Sequence, residues 1–213
     1  MKPHFDVIIL TTAAVGTPHL ETLRAANPDL TIHVHAAPDA DDAAGRITAW
    51  RNCDRNLREW WKTQRDSVTS DAVLALEWDV FCNVDLMTIV PPLGNGYGLM
   101  GPNIKSPVRD GRSWAPFAEL NRLPGGLASV ALGVAPAAVM QLSRKALDAV
   151  ADEQWDEVFA LDIFCELRLP TIVRACGFSV EECLHWRWVG TQPMRVPSGG
   201  SGIFHPVKEE VPQ

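Results

Sequence analysis

Apolar residues in the first part of the chain fall into runs that predict alternating strands and helices. The stretch FDVIIL (5–10) is β-branched and almost fully apolar, as in a strand covered on both faces. LTIHVHAAP (30–38) alternates, and AVLALEWD (72–79) is again apolar up to its last residues. Helical patterns lie between these strands at 17–28 and 43–67. This order predicts a parallel sheet with right-handed crossovers.

The remainder of the chain has a less regular pattern. Residues 91–128 are rich in proline and glycine, with short apolar pieces between them. The elements predicted after this segment are a strand and then a helix from about Pro136 within 129–150, a helix over 155–169, a strand over 178–186 and a loop-like tail over 190–213. The Gly/Ser-rich stretch in the tail is too short for a domain linker and fits a flexible lid or hinge.

Composition limits the classes of function. No linker divides the 213 residues, so we predict a single domain, 1–213. The net charge of −7 argues against nucleic acid as the main partner. The five cysteines include no C-x-x-C pair, which is typical of free thiols in a reducing cytoplasm. No apolar stretch is long enough to predict a membrane span.

The end of the 72–79 strand carries two acids, Glu77 and Asp79. Residues two apart in a strand share a face, and parallel sheets bind ligands at the carboxyl ends of their strands. Two carboxylates on one face make half of a site for a hard divalent cation. The alternative is a pair of solvated acids at a strand end.

The tail offers further candidates. His205 follows the Gly/Ser stretch, and Lys208 lies three residues later. A neutral imidazole can supply a third metal ligand, and an ammonium group can contact a phosphate. Taken with the acids at 77 and 79, they predict a site for a metal and a pyrophosphate. The alternatives are a surface histidine and a solvated lysine.

The predicted helix 155–169 is apolar nearly all round, which indicates burial. Asp162 and Glu166 nevertheless fall on one of its faces, four residues apart, where like charges repel. Either Arg168 or Arg174 pairs with one of them, or Asp162 faces an active site as a general base.

These motifs, in this order, resemble the GT-A glycosyltransferases, especially the inverting family-2 type. Glu77-Trp78-Asp79 resembles the family's D-x-D motif, and AWRN, ending in Arg51 and Asn52, resembles its A-R-N. LDIFCELRLPTIVRACGFSV (161–180) is similar in outline to its E-D-x-x-L-x-x-R helix and following strand, and LGVAPAAVMQLSRKAL (132–147) to its acceptor loop and helix.

The resemblance implies an α/β, GT-A-like fold: a Rossmann-like nucleotide-binding half with a mainly parallel central sheet flanked by helices. It implies a nucleotide- and metal-binding half at 1–90, and an acceptor half with a C-terminal loop at 91–208. The implied reaction moves a sugar from a nucleotide-sugar donor to a carbohydrate or other hydroxyl acceptor, with inversion.

The resemblance also implies roles for single residues. Mn²⁺ or Mg²⁺ would be held by Asp79 and His205, with Glu77 as a further ligand that also contacts the nucleotide, and Asp162 would be the catalytic base. Nucleotide-binding residues would include Thr11, Thr12, Asp39, Arg51, Asn52 and Lys208. For Thr11, Thr12 and Asp39, ordinary loop residues at strand ends are the alternative.

Two other functions stay open at this point. One is a non-catalytic nucleotide- or sugar-binding relic of the same fold, and the other is a nucleotidyltransferase. The latter would need a glycine-rich, basic loop after the first strand, and TTAAVGTPH (11–19) has one glycine and neither lysine nor arginine. Of the eight tryptophans, Trp114, Trp186 and Trp188 are candidates for stacking on a sugar ring, whereas the helical spacing of Trp50, Trp60 and Trp61 favours the core.

Overall fold

The computed structural model describes residues 4–37, 43–186 and 188–207, with the backbone alone at 43, 44, 46 and 112. The strands of these segments are β1 (Asp6–Thr12), β2 (Ile32–Ala37), β3 (Ala72–Glu77), β4 (Phe81–Cys82), β5 (Tyr97–Gly101), β6 (Ile104–Lys105), β7 (Gly133–Val134), β8 (Val139–Ser143), β9 (Ser179–Glu182), β10 (Val189–Met194) and β11 (Ile203–Val207). The helices are α1 (Leu20–Ala26), α2 (Ala43–Arg51), α3 (Cys53–Gln64), α4 (Leu86–Ile89), α5 (Pro107–Asp110), α6 (Arg144–Ala151), α7 (Asp156–Ala160) and α8 (Cys165–Ala175). Short 3₁₀ segments occur at Arg65–Ser67, Gly111–Ser113, Ala115–Arg122, Gly125–Val130 and Glu153–Trp155.

A six-stranded sheet with the order β2-β1-β3-β8-β5-β9 forms the centre of the molecule. β1 pairs in parallel with β2 and β3, and β5 pairs in parallel with β9. β8 is antiparallel to β3 and β5, so it alone opposes the common direction within this sheet. The predicted α/β class, with a mainly parallel central sheet flanked by helices, is confirmed. The sheet is continuous across residue 90; the division into two halves stays a prediction.

Each face of the sheet carries its own apolar core, because alternate residues of a strand point to opposite sides. Ile8 and Val73 lie in the core that also holds α3, α6 and α8. Val7 and Leu74, their neighbours in sequence, lie in the core on the other side, with α1, α4 and β11. Trp61 of α3 is fully buried in the first core, which confirms its predicted role.

The predicted helix 43–67 consists of two helices, α2 and α3, separated at Asn52. The Asn52 side chain donates to the Thr48 carbonyl at 2.8 Å and accepts from Arg168 at 3.1 Å. The helix break therefore serves a tertiary contact with α8, which periodicity within 43–67 does not reveal.

The helix predicted from about Pro136 is wrong in its start. Val139–Ser143 is instead strand β8, and α6 begins at Arg144. The Ser143 side chain accepts from the Ala146 N–H at 3.2 Å and caps α6. A strand that is paired on both sides and buried on both faces is mainly apolar, so periodicity alone does not distinguish it from a buried helix.

The predicted helix 155–169 is also interrupted, between α7 and α8, at residues 161–164. The Leu161 carbonyl accepts from Arg55 and Arg168, both at 2.8 Å, and the Phe164 N–H donates to Glu119 at 2.7 Å. Side chains from elsewhere in the chain thus satisfy the backbone groups that a continuous helix would pair internally.

The tail is not the predicted loop. β10 and β11 pair in parallel, and β11 is antiparallel to β4, which gives a second, three-stranded sheet. The predicted strand 178–186 is shorter than expected and ends at Glu182.

Membrane and redox properties were also predicted from the sequence. Within the described segments, no helix combines the length and apolar character that crossing a bilayer requires. All five cysteines are free thiols, as predicted.

Candidate active site

Two buried acids lie where β3 ends, on the side of the central sheet at which its parallel strands have their carboxyl ends. β3 is buried throughout and ends at Glu77. The Glu77 N–H donates to the Ala138 carbonyl at 2.9 Å, and its carbonyl accepts from the Val80 N–H at 3.1 Å, which turns the chain through Asp79. Glu77 is 8% exposed and Asp79 is 3% exposed. The alternative of a solvated pair at a strand end is therefore wrong.

His205 reaches these acids from β11, far away in the sequence. The Val207 N–H donates to the Asp79 carbonyl at 2.9 Å, which ties β11 to the end of β3. The His205 Nδ1 lies 2.8 Å from the Gly190 carbonyl, so Nδ1 carries a proton and Nε2 faces the acids. Nε2 lies 3.2 Å from Asp79 Oδ1 and 3.5 Å from Glu77 Oε2.

These three residues form a possible metal centre: one ligand atom from each lies within 4.8 Å of the others. Two carboxylates and an imidazole suit Mn²⁺, and the carboxylates suit Mg²⁺. Burial lowers the pKa of His205, but hydrogen bonds with Asp79 and Glu77 outweigh it and raise the pKa to about 9. Without a cation, a proton on His205 therefore neutralises part of this negative charge.

A cleft of about 530 Å³ opens beside the metal centre at the carboxyl ends of β1 and β3. Its size is that of small-molecule sites. Its acidic lining residues are Glu77, Asp79 and Glu166, and none of the described lining residues is a lysine or arginine. Its other described lining residues are Leu10, Thr11, Thr12, Val15, Ile47, Ala49, Trp50, Cys53, Asn56, Trp78, Pro136, Thr191, Pro193, His205 and Pro206.

Glu166, to which the sequence assigned no role, is the third acid of the cleft. It lies in the first turn of α8, is 6% exposed, and accepts from the Ala137 N–H at 3.1 Å. Burial, with a smaller contribution from the charge of Glu77, raises its pKa to about 8 against the opposing effect of that hydrogen bond. A carboxyl group of this pKa exchanges its proton near neutral pH.

Asp162, the predicted base, does not line the cleft. Its side chain is 66% exposed and accepts from Arg51 Nε at 2.8 Å, and Arg122 lies 3.7 Å away. The hydrogen bond from Arg51 holds the pKa of Asp162 below its usual value. Its role as base stays a prediction, but the ion pair corresponds to the alternative in which an arginine neutralises it; the partner is Arg51, not Arg168 or Arg174.

Arg51 and Asn52 were predicted to bind nucleotide, and in the structure both contact α8 or residues packed near it. Arg51 pairs with Asp162 and Glu119, and Asn52 accepts from Arg168. Neither is among the lining residues of the cleft. Two of the four motifs that suggested the family resemblance, AWRN and 161–180, thus contact each other, and nucleotide binding by Arg51 and Asn52 stays a prediction.

The other predicted nucleotide residues have different placements. Thr11 and Thr12, at the end of β1, are buried and line the cleft. The Thr11 hydroxyl donates to the Gly16 carbonyl, which holds the loop after β1 against the strand end. Asp39 and Lys208 lie outside the described residues.

The tryptophans differ from the prediction in an informative way. Trp186 is buried at 1% exposure, and Trp114 packs edge-on against Phe117, so neither is placed in the cleft. Trp188 is 44% exposed and stacks on Phe204 outside the cleft lining. Trp50, which was predicted to be core, is 51% exposed and lines the cleft.

No protein-family model matches the chain, and no curated protein does either. Solved structures of glycosyltransferases do match. The galactosyltransferase LgtC, in complex with donor and acceptor sugar analogues, has 15% identity, with 84% of this chain and 73% of that chain covered and a TM-score of 0.43. Mouse xyloside xylosyltransferase 1 has 9% identity, with 84% of this chain and 85% of that chain covered and a TM-score of 0.41.

A third match is glucosyl-3-phosphoglycerate synthase from Mycobacterium tuberculosis, in complex with Mn²⁺, UDP-glucose and phosphoglyceric acid. Its identity is 15%, with 68% of this chain and 59% of that chain covered and a TM-score of 0.35. The matches agree with the predicted GT-A-like fold class and do not confirm the inverting family-2 type. At such identities and TM-scores, no residue role or reaction is transferred from these proteins to this chain.

Proposed function

We propose that the chain is a metal-dependent glycosyltransferase that moves a sugar from a nucleotide diphosphate donor to an acceptor hydroxyl. One observation carries the proposal: the metal-ligand cluster of Glu77, Asp79 and His205 shares a single cleft with a further acid, Glu166. The cleft lies at the carboxyl ends of the strands, where open α/β sheets bind their ligands.

The negative charge of the cleft makes a cation necessary for a diphosphate ligand. Glu77 and Asp79 would repel a diphosphate, and a proton on His205 offsets only part of their charge. Mn²⁺ or Mg²⁺, held by Glu77, Asp79 and His205, would act as a Lewis acid that stabilises the charge on the leaving diphosphate. Lys208, directly after β11, would add positive charge from the chain itself.

Thr11 and Thr12 would contact the nucleoside. They lie at the end of β1 and line the same cleft as the three metal-ligand candidates, and the Thr11 hydroxyl, which donates to Gly16, can still accept a hydrogen bond from a ribose or a base. This assignment extends the prediction made from the sequence for the same two residues.

Glu166 is the better placed of the two candidate bases. It lines the cleft, whereas the exposed Asp162 is held by Arg51. As a carboxylate, Glu166 would accept the proton of the acceptor hydroxyl while that oxygen attacks the anomeric carbon and the bond to the diphosphate breaks. A single displacement of this kind inverts the anomeric centre, and the product anomer can be assigned by NMR.

The first test is calorimetry with UDP and GDP, each with Mn²⁺ and with EDTA. We expect binding only with the metal, and loss of that binding in Asp79→Asn and His205→Ala. Binding of equal strength in EDTA, or no nucleotide binding under any condition, would contradict the proposal. Metal-dependent binding without transfer or donor hydrolysis would indicate the non-catalytic relic.

The base is tested with two matched variants. We expect Glu166→Gln to lower the rate of donor hydrolysis or sugar transfer by about 10²–10⁴-fold, because the amide cannot accept the proton. Asp162→Asn is the control, and we expect a rate within a few-fold of the wild type. The reverse ranking would return the role of base to Asp162.

A further inference from the structure

Two large apolar side chains are exposed inside the cleft, on one face of α2. Ile47 is 62% exposed and Trp50 is 51% exposed, and both line the cleft. They are three residues apart on α2, so they lie side by side on the helix surface. Large apolar groups left exposed in a cleft that also carries acidic groups indicate contact with a ligand.

The Trp50 ring is held in place by its neighbours. Its centroid lies 4.7 Å from that of Phe164, with the two ring planes at 61°. The guanidinium group of Arg51 lies over the same Phe164 ring, 5.6 Å from its centroid, and also pairs with Asp162. The Cys165 thiol donates to the Trp50 carbonyl at 3.5 Å. The contact with Phe164 restricts the indole on one side, which lowers the entropy lost when a ligand stacks on it.

The same contacts bring Trp50 against the start of α8, which carries Glu166. Trp50 touches Phe164 and Cys165, the two residues immediately before Glu166, and Trp50 and Glu166 line one cleft. An apolar surface next to a carboxylate suits a pyranose ring, because the C–H face of the sugar stacks while its hydroxyl groups donate to the carboxylate.

We propose that Ile47 and Trp50 form the binding surface for the sugar ring of the acceptor, whose attacking hydroxyl points toward Glu166. The inference rests on the proposed function only in calling this sugar the acceptor. That Ile47 and Trp50 bind a sugar ring can be tested without the transfer reaction. A nucleobase is the competing occupant. Glu166, which lines the same cleft, favours a sugar, because its carboxyl group can hydrogen-bond to the hydroxyl groups around a ring whose C–H face stacks on the indole.

Saturation-transfer NMR on the full chain tests the proposal, with methyl β-glucoside, methyl β-galactoside, lactose and maltose as probes, with and without UDP and Mg²⁺. We expect transfer to the ring protons of at least one probe on the wild type. We expect Trp50→Ala to weaken that binding about 10-fold or more, with Trp50→Phe closer to the wild type. Ile47→Ser should weaken it too, and it leaves the contact between Trp50 and Phe164 in place.

Leu184→Ala is the control, since Leu184 is 78% exposed and does not line the cleft. No transfer to any probe, or equal binding by wild type and both α2 variants, would overturn the proposal. Loss of UDP binding with unchanged sugar binding in Trp50→Ala would also overturn it, in favour of the nucleobase. If the chain binds sugar in a way that depends on Trp50 but binds no nucleotide, the proposed sugar-binding surface is supported and the proposed transferase function is refuted.

Discussion

Replacement of Arg168 by methionine should destabilise the chain strongly. The side chains of Arg168 and Asp54 are both fully buried. Arg168 Nε donates to Asp54 Oδ2 at 2.8 Å, and Nη2 donates to Asp54 Oδ1 at 2.5 Å. Methionine keeps much of the stem of the arginine but removes its charge, which leaves the Asp54 carboxylate buried beside Cys165 and Cys53.

The structure sets the size of this effect. Removing one partner of a buried ion pair costs about 3–5 kcal/mol, because the other charge stays buried and uncompensated. The Leu161 carbonyl and the Asn52 side chain lose hydrogen bonds from the same guanidinium. For a domain with about 5–15 kcal/mol of total stability this is a large fraction, and it corresponds to a fall in Tm of roughly 6–20 °C.

Urea unfolding followed by tryptophan fluorescence measures the loss, and a double variant tests its cause. Arg168→Met combined with Asp54→Leu leaves no buried charge, so the double variant should be more stable than Arg168→Met alone. A loss below about 1 kcal/mol in Arg168→Met, or a double variant whose loss equals the sum of the two single losses, would refute this account.

Two further predictions concern the metal centre and a close contact in the fold. In EDTA, the hydrogen bonds to Asp79 and Glu77 raise the His205 pKa from 6.5 to about 9, against the effect of burial, so this contribution to stability is complete below about pH 6.5 and is lost as the pH rises through 9. The unfolding free energies of the wild type and His205→Gln, measured by urea unfolding, should therefore differ by at most about 3 kcal/mol at low pH and converge between pH 6.5 and 9. A difference that stays constant with pH would contradict the assignment. A Cβ on Gly133 would lie 2.1 Å from the Trp114 ring, so Gly133→Ala should cost about 1–3 kcal/mol in unfolding free energy. In Gly126→Ala the Cβ meets no atom within 4 Å, so a loss there as large as at Gly133 would mean that the contact with Trp114 is not the cause.

The residues of the proposed metal site could be predicted from the sequence because each of them has a local signal. A buried apolar run that ends in Glu77-Trp78-Asp79 needs compensation for its charge, and a histidine is a common source of it. The strand that carries His205 was not predicted: β11 pairs with β4 and β10, and pairing between distant segments leaves little trace in a short stretch of sequence. The three residues of the cluster were therefore easier to predict than the strand that positions the histidine.

The positions of Glu166 in α8 and of the exposed Trp50 could not be predicted from hydrophobic periodicity. Both assignments assumed continuous helices, 155–169 and 43–67, and both helices are broken by contacts with arginine side chains. The break at 161–164 turns Asp162 outward and leaves Glu166 in the cleft. The break at Asn52 separates Trp50 from Trp60 and Trp61, so helical spacing no longer places all three in one core.

The hydrogen bond between β11 and Asp79, just after β3, bears on when the proposed metal site forms during synthesis of the chain. Glu77 and Asp79 emerge from the ribosome long before His205, and the Val207 N–H that bonds the Asp79 carbonyl emerges later still. A nascent chain that has completed β1 to β3 thus holds two acids without their imidazole. The proposed metal site is therefore complete only after β11 has been synthesised and has paired with the end of β3.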